Sequence, residues 1–153
     1  MGTNIGYIGI DHHHRDPYFA VASELDATVT AVCEPGRRVD VENIAAMDDR
    51  PDEITTEGQG VADLVSGATV YEDPHRLVAD DTVDVAWITY RSDETPAIIE
   101  SAVDHGVHVI SEKPIARTAA DLEPIAERAN EAGVTVSPTM YYRRNPVAMK
   151  LRD

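Results

Sequence analysis

Cysteine is all but missing from this 153-residue chain, in which Cys33 stands alone. One thiol cannot form an intrachain disulfide or a cysteine zinc site. It closes the apolar run Val29-Thr30-Ala31-Val32-Cys33 with no base beside it. It therefore reads as a buried structural thiol rather than a nucleophile. Lysine is nearly as scarce, with Lys113 and Lys150 only. Long apolar runs are missing too. The first, Ile5 to Ile10, is too short to cross a bilayer, and Met1-Gly2-Thr3-Asn4 ahead of it carries no basic residue. The expectation is a cytoplasmic protein.

Acidic side chains dominate what is present. There are 28 Asp and Glu against 13 Lys and Arg, a net charge of −15. That balance argues against nucleic acid and anionic membranes as partners, since both need a basic face. Many acids with almost no lysine suggest a protein that works in high salt. At molar ionic strength the Debye length falls to about 3 Å, so self-repulsion is screened. An acidic protein of ordinary salt is the alternative. Apolar residues make up 42% of the chain, enough for one globular domain with a real core.

Short apolar runs alternate with amphipathic stretches. Strands are expected at Asn4–Ile10, Thr28–Cys33, Thr69–Tyr71, Val83–Thr89, Val107–Ser111 and Val134–Ser137. Helices are expected at Pro17–Leu25, with Asp16 at the N-cap, and at Val39–Met47. An acidic loop and another helix ending near Ser66-Gly67 follow. Further helices are expected at Pro74–Ala79, Thr95–His105, Thr118–Ala132 and from Asn145 onward. Gly106 and Gly133 stop two of them. The alternation predicts βαβ units and a doubly wound parallel α/β sheet. In such sheets ligands bind beyond the carboxyl ends of the strands. The residues that matter are then Gly9 to His14, Glu34, Thr89 to Ser92, Glu112 to Pro114 and Thr139 to Arg144.

The first strand–helix turn reads Gly9-Ile10-Asp11-His12-His13-His14. A dinucleotide-binding turn wants G-x-G-x-x-G. Gly9 takes the first glycine position, but Asp11 and His14 stand at the second and third. Glu34 closes the second strand, where a carboxylate would bond an adenosine ribose; Arg37 or Arg38 could instead meet a 2′-phosphate. Three consecutive histidines cannot all face one ion from extended backbone, so no metal site is expected. Their N–H groups could meet a pyrophosphate, against which the Asp11 carboxylate would work. The rival reading is a turn that has lost its phosphate.

The most specific run is Val107-His108-Val109-Ile110-Ser111-Glu112-Lys113-Pro114. It joins the opening turn, Cys33-Glu34-Pro35, Asp84 to Thr89, and Tyr142-Arg143-Arg144-Asn145-Pro146. Together these resemble the family of glucose–fructose oxidoreductase, inositol dehydrogenase and MocA, over nearly the whole chain. The resemblance implies a Rossmann-like NAD(P)-binding domain at 1–140, with 141–153 beginning the connection to a second, substrate-choosing domain that this chain lacks. It implies NAD or NADP as cofactor and a sugar- or polyol-like alcohol as substrate. Lys113 would be catalytic, orienting the substrate hydroxyl and easing its proton loss. Glu112 would contact the nicotinamide ribose, and a cis bond before Pro114 would tip the lysine into the cleft. Arg143 would lie near the cofactor at the domain junction. The cofactor would further meet Gly9, Ile10, Asp11, His12, His13, Glu34, Arg37, Thr89, Tyr90 and Arg91.

The chain departs from the family at Thr89-Tyr90-Arg91-Ser92, where Thr-Pro-Asn and a histidine are usual. The expected function is hydride transfer between such an alcohol and NAD(P), with little turnover from this chain alone. A separately encoded C-terminal domain is a possible partner, and a homo-oligomer is expected if the enzyme is complete. A non-catalytic nucleotide-binding regulatory or scaffolding domain is the rival. A histidine-based metal hydrolase is a third reading, without a convincing set of carboxylates.

Overall fold

A computed structural model of the chain describes residues 2–12, 14–36, 65–140, 143 and 145–152. Among these residues six strands form one sheet: β1 (Thr3–Ile8), β2 (Ala27–Cys33), β3 (Thr69–Tyr71), β4 (Val85–Ile88), β5 (His108–Ser111) and β6 (Val136–Pro138). Among the described residues the helices are α1 (Arg15–Glu24), α2 (Pro74–Val78), α3 (Thr95–Asp104), α4 (Glu123–Ala132) and α5 (Pro146–Arg152). The order across the sheet is β3-β2-β1-β4-β5-β6, with every neighbouring pair parallel. The chain runs outward from β1 to β3 and then returns to pair β4 on the other side of β1. The crevice at this reversal is where doubly wound sheets hold ligands.

Alternation along the strands explains why helices cover both faces. Ile5 and Tyr7 of β1, Val29 and Val32 of β2 and Trp87 of β4 pack with Tyr18, Phe19 and Ala22 of α1. Tyr7 and Phe19 meet edge to face at 4.6 Å, and Tyr18 lies 4.7 Å from Trp87. Ile8, Ala31, Cys33, Ala86 and Ile88 face the other way, onto Leu77 and Val78 of α2 and the apolar stripes of α3 and α4. Each fully buried aliphatic side chain contributes about 1.5–3 kcal/mol of transfer energy.

The expected strands are all present; Thr69–Tyr71 keeps its expected bounds and the others shift at one or both ends. β1 stops at Ile8, because Gly9 turns away, and β6 covers Val136–Pro138 at the sheet edge, where a proline costs no ladder bond. Helix α1 starts at Arg15, with His14 rather than Asp16 at its N-cap and no side-chain cap bond. The single helix expected over Thr118–Ala132 is broken. Thr118 and Asp121 form a capping box over a short 3-10 turn at Ala119–Asp121, and α4 begins at Glu123. Pro124 explains the break, since it has no N–H to continue a helix begun at Thr118. Gly133 ends α4 in the left-handed region, at φ 69°. Asp73 caps α2 by accepting the His75 N–H at 2.9 Å. The helix at Val39–Met47, the acidic loop and the body of the helix before Ser66 lie outside the described residues. No helix among the described residues is long and apolar enough to cross a membrane.

Candidate functional site

The carboxyl ends of β1 and β4 meet at Gly9. Its φ is +89°, and a Cβ there would lie 2.4 Å from the Thr89 carbonyl oxygen. Both facts demand glycine. The Gly9 N–H donates to the Cys33 carbonyl at 2.8 Å. The Thr89 hydroxyl donates to the Gly9 carbonyl at 2.6 Å and lies 3.2 Å from the Tyr7 hydroxyl. Thr89 is thus a buried lock between two strand ends, with its side chain turned to the turn's backbone. Ile10 is fully buried in the core, which leaves only its backbone for a ligand.

Beyond Ile10, Asp11 is exposed and His12 and His14 are half-buried. The Asp11 N–H donates to Glu34 Oε2 at 2.9 Å, so the acidic end of β2 and the second glycine position are in contact. The His14 N–H donates to His12 Nδ1 at 3.2 Å, and the two rings stand edge to face at 5.2 Å. Arg15 is buried and donates to the Ile10 carbonyl at 3.3 Å, which braces the turn from below. His13 and Arg37 lie outside the described residues. Among the described residues no three His, Cys, Asp or Glu side chains group as metal ligands.

Glu112 is the hub of the site. Its N–H donates to the Ile88 carbonyl at 2.7 Å, placing it just past β5 beside the end of β4. The side chain is buried, yet Oε2 accepts from the Tyr18 hydroxyl, from Thr139 Oγ1 at 2.9 Å and from His14 Nδ1 at 3.3 Å. Burial pushes its carboxyl up, but the bonds from Tyr18, Thr139 and His14 outweigh it and bring the pKa down to about 2. Oε1 is buried without a hydrogen-bond partner and lies 3.3 Å from Lys113 Nζ. The Lys113–Pro114 peptide is cis, as the resemblance implied. The lysine head is half exposed and shares Glu112 with His14.

The other candidates lie outside this hub. Arg91 is exposed and pairs with Asp93 at 3.0 Å and Glu94 at 3.3 Å; Arg117 joins it on Asp93 at 3.0 Å. This surface cluster ties the loop after β4 to the segment after Pro114. Tyr90 is half-buried; burial, then the carboxylates of Glu94 and Glu34, push its hydroxyl above the ordinary range. Arg143 is exposed, with its N–H on the Met140 carbonyl at 3.0 Å. Burial, then Glu34 and Asp73, push the Cys33 thiol up to about 12, as suits an inert core thiol. A cavity of about 240 Å³ lined by Asp84, His105 and His108 lies at the amino-terminal ends of β4 and β5, the edge opposite the crevice.

Tyr18 escaped the sequence reading. Its signal was present: a phenol four residues after His14, inside a buried aromatic stripe, needs a polar partner for its hydroxyl.

A family model described as the oxidoreductase family with an NAD-binding Rossmann fold matches residues 5–140. The D-xylose 1-dehydrogenase (NADP(+)) 2 of Haloferax volcanii is 29% identical over 93 residues, covering 61% of this chain and 29% of that protein. The inositol 2-dehydrogenase/D-chiro-inositol 3-dehydrogenase of Lactiplantibacillus plantarum is 31% identical over 133 residues, covering 86% of this chain and 31% of that protein. The chain therefore spans less than a third of the length of either curated relative. The crystal structure of a 3-ketoreductase from Actinomadura kijaniata, solved with NADP, superposes with a TM-score of 0.73. That match covers 99% of this chain and 41% of the other at 19% identity, a likeness of fold.

Proposed function

The chain belongs to the oxidoreductase family of glucose–fructose oxidoreductase, inositol dehydrogenase and MocA, which carries an NAD-binding Rossmann fold, and from that membership we propose that it is the cofactor-holding part of a sugar or polyol dehydrogenase. Residues 1–140 form the nucleotide unit, and 141–153 begin the connection to the part that selects the substrate. The substrate class follows the two dehydrogenase relatives. A substrate-selecting part and a homo-oligomer complete the proposed enzyme, in the cytoplasm and at high salt.

One observation carries the reading. A single buried carboxylate, Glu112, touches both the glycine turn through His14 and the Lys113 ammonium. That shared contact supports one site made of the cofactor turn and the candidate catalytic lysine.

The crevice fits NAD(P). At Gly9 no side chain fits beside Thr89, and Glu34 stands at the end of β2. Bound NAD(P) would supply the hydride acceptor. Glu34 would hold the adenosine ribose, and the backbone of Gly9 to His12 would face the pyrophosphate. Lys113 Nζ would hydrogen-bond the substrate hydroxyl and favour loss of its proton. Glu112 stays ionised at neutral pH and holds the lysine by its charge.

A second reading, a nucleotide-binding domain without catalysis, is favoured by Asp11 and His14 at glycine positions and by the Asp11 N–H already given to Glu34. Calorimetric titration of the folded chain with NADH and NADPH, in about 2 M potassium chloride to screen its charge, tests both. Binding is expected. No heat with either nucleotide would overturn both readings. Binding without turnover in the assembled enzyme would leave the second, and full turnover after Lys113→Ala would remove the lysine's catalytic role.

A further inference from the structure

We infer that Tyr18 and His14 are positioning residues for Lys113, acting through Glu112. The inference rests on the proposed catalytic place of Lys113 for its significance, though not for its geometry.

Removing a carboxylate from water costs several kcal/mol unless both oxygens find partners. Glu112 is 5% exposed, yet its bonds are divided unevenly. Donors from three places, His14 in the turn, Tyr18 in α1 and Thr139 after β6, converge on Oε2. Among the described residues Oε1 has no hydrogen bond, and it lies 3.3 Å from the Lys113 ammonium. A carboxylate serving merely to staple α1 to the sheet would share its donors between both oxygens. Here one oxygen is fixed from three sides, and the fixed group turns its other oxygen toward the lysine. The carboxylate plane cannot rotate without breaking bonds to three segments.

Lys113 needs such a fixed point. Its side chain is 54% exposed, and among the described residues Glu112 is the carboxylate it pairs with. Tyr18 is itself held, with its ring 4.7 Å from Trp87 and 5.8 Å from His14. The rigid element is thus the aromatic stack, the adjustable element is the lysine, and Glu112 is the joint. His14 occupies the third glycine position of the fingerprint. In this chain an imidazole there links the pyrophosphate turn to the lysine.

The scarcity of lysine makes the test direct. Lys113 and Lys150 are the only two, so limiting acylation read by mass spectrometry measures Lys113 against Lys150 as an internal reference. Tyr18→Phe keeps the ring and removes the donor. The Lys113/Lys150 labelling ratio is expected to rise about threefold, the order of releasing one partly exposed ion pair. Glu112→Gln should raise it as much, and the double variant should add nothing further. His14→Gln should move the ratio in the same direction, and it carries the test if Tyr18→Phe does not fold. Circular dichroism and urea midpoints confirm the fold of each variant. A ratio that Glu112→Gln changes but neither Tyr18→Phe nor His14→Gln changes would overturn the inference, as would additive effects. The experiment uses no nucleotide, so a failed NADH titration beside a positive result here would remove the catalytic reading and leave the coupling standing.

Discussion

Asp11 gives its backbone N–H to the Glu34 carboxylate at 2.9 Å, across 23 residues of sequence. The acid that closes β2 therefore has two duties available: bracing the turn and receiving a ribose. Glu34→Ala separates them. NADH binding should weaken about tenfold or more, the value of a charged hydrogen bond. NADPH binding should hold or tighten, because a carboxylate no longer opposes the 2′-phosphate. Calorimetry with both nucleotides checks this. Equal weakening of the two would assign Glu34 to the turn alone.

Gly9→Ala should be severe. The new methyl would meet the Thr89 carbonyl at 2.4 Å, and that oxygen belongs to backbone rather than to a flexible side chain. The positive φ adds strain of its own. Urea unfolding should show a loss above about 2 kcal/mol. A change within about 0.5 kcal/mol, the range of ordinary surface substitutions, would contradict the placement of the turn.

The carboxyl of Glu112 is held at about 2, below its ordinary 4.5. A depressed folded-state pKa stabilises the protein fully above the unfolded value and loses that contribution as pH falls through the folded one. The loss should therefore run from about pH 4.5 down to about pH 2. Urea midpoints measured across that window should fall more steeply for the native chain than for Glu112→Gln. Parallel curves would show that Glu112 carries no such linkage.

With 28 acidic against 13 basic residues, the folded chain repels itself in dilute buffer. The melting temperature should climb as potassium chloride is raised from dilute to molar. A flat or falling melting temperature over that range would reject adaptation to high salt.

Local chemistry made much of the fold readable. Val85 to Ile88 and Val29 to Cys33 are strands because apolar, β-branched runs suit a sheet covered on both faces. Gly133 ends its helix because it alone tolerates the left-handed turn there. Pro124 lies inside the amphipathic run and splits the helix expected from Thr118. The site was legible only where spacing along the chain carries it, as in the step from Gly9 to Glu34. Tyr18 and Glu112 are 94 residues apart, and nothing local announces their contact. Thr89 shows the converse. Its position after β4 pointed to a ligand, whereas its hydroxyl spends its proton on the Gly9 carbonyl.

The sealed Cys33 thiol has a practical corollary. With its proton held to about pH 12 and its sulfur in the core, it will stay silent toward maleimides under native conditions. Any cysteine engineered onto the surface then becomes the one addressable thiol, with no background substitution required. Val147, 68% exposed on α5, is a natural anchor for a spin label or fluorophore. A probe there would report directly on whatever docks against the last helix.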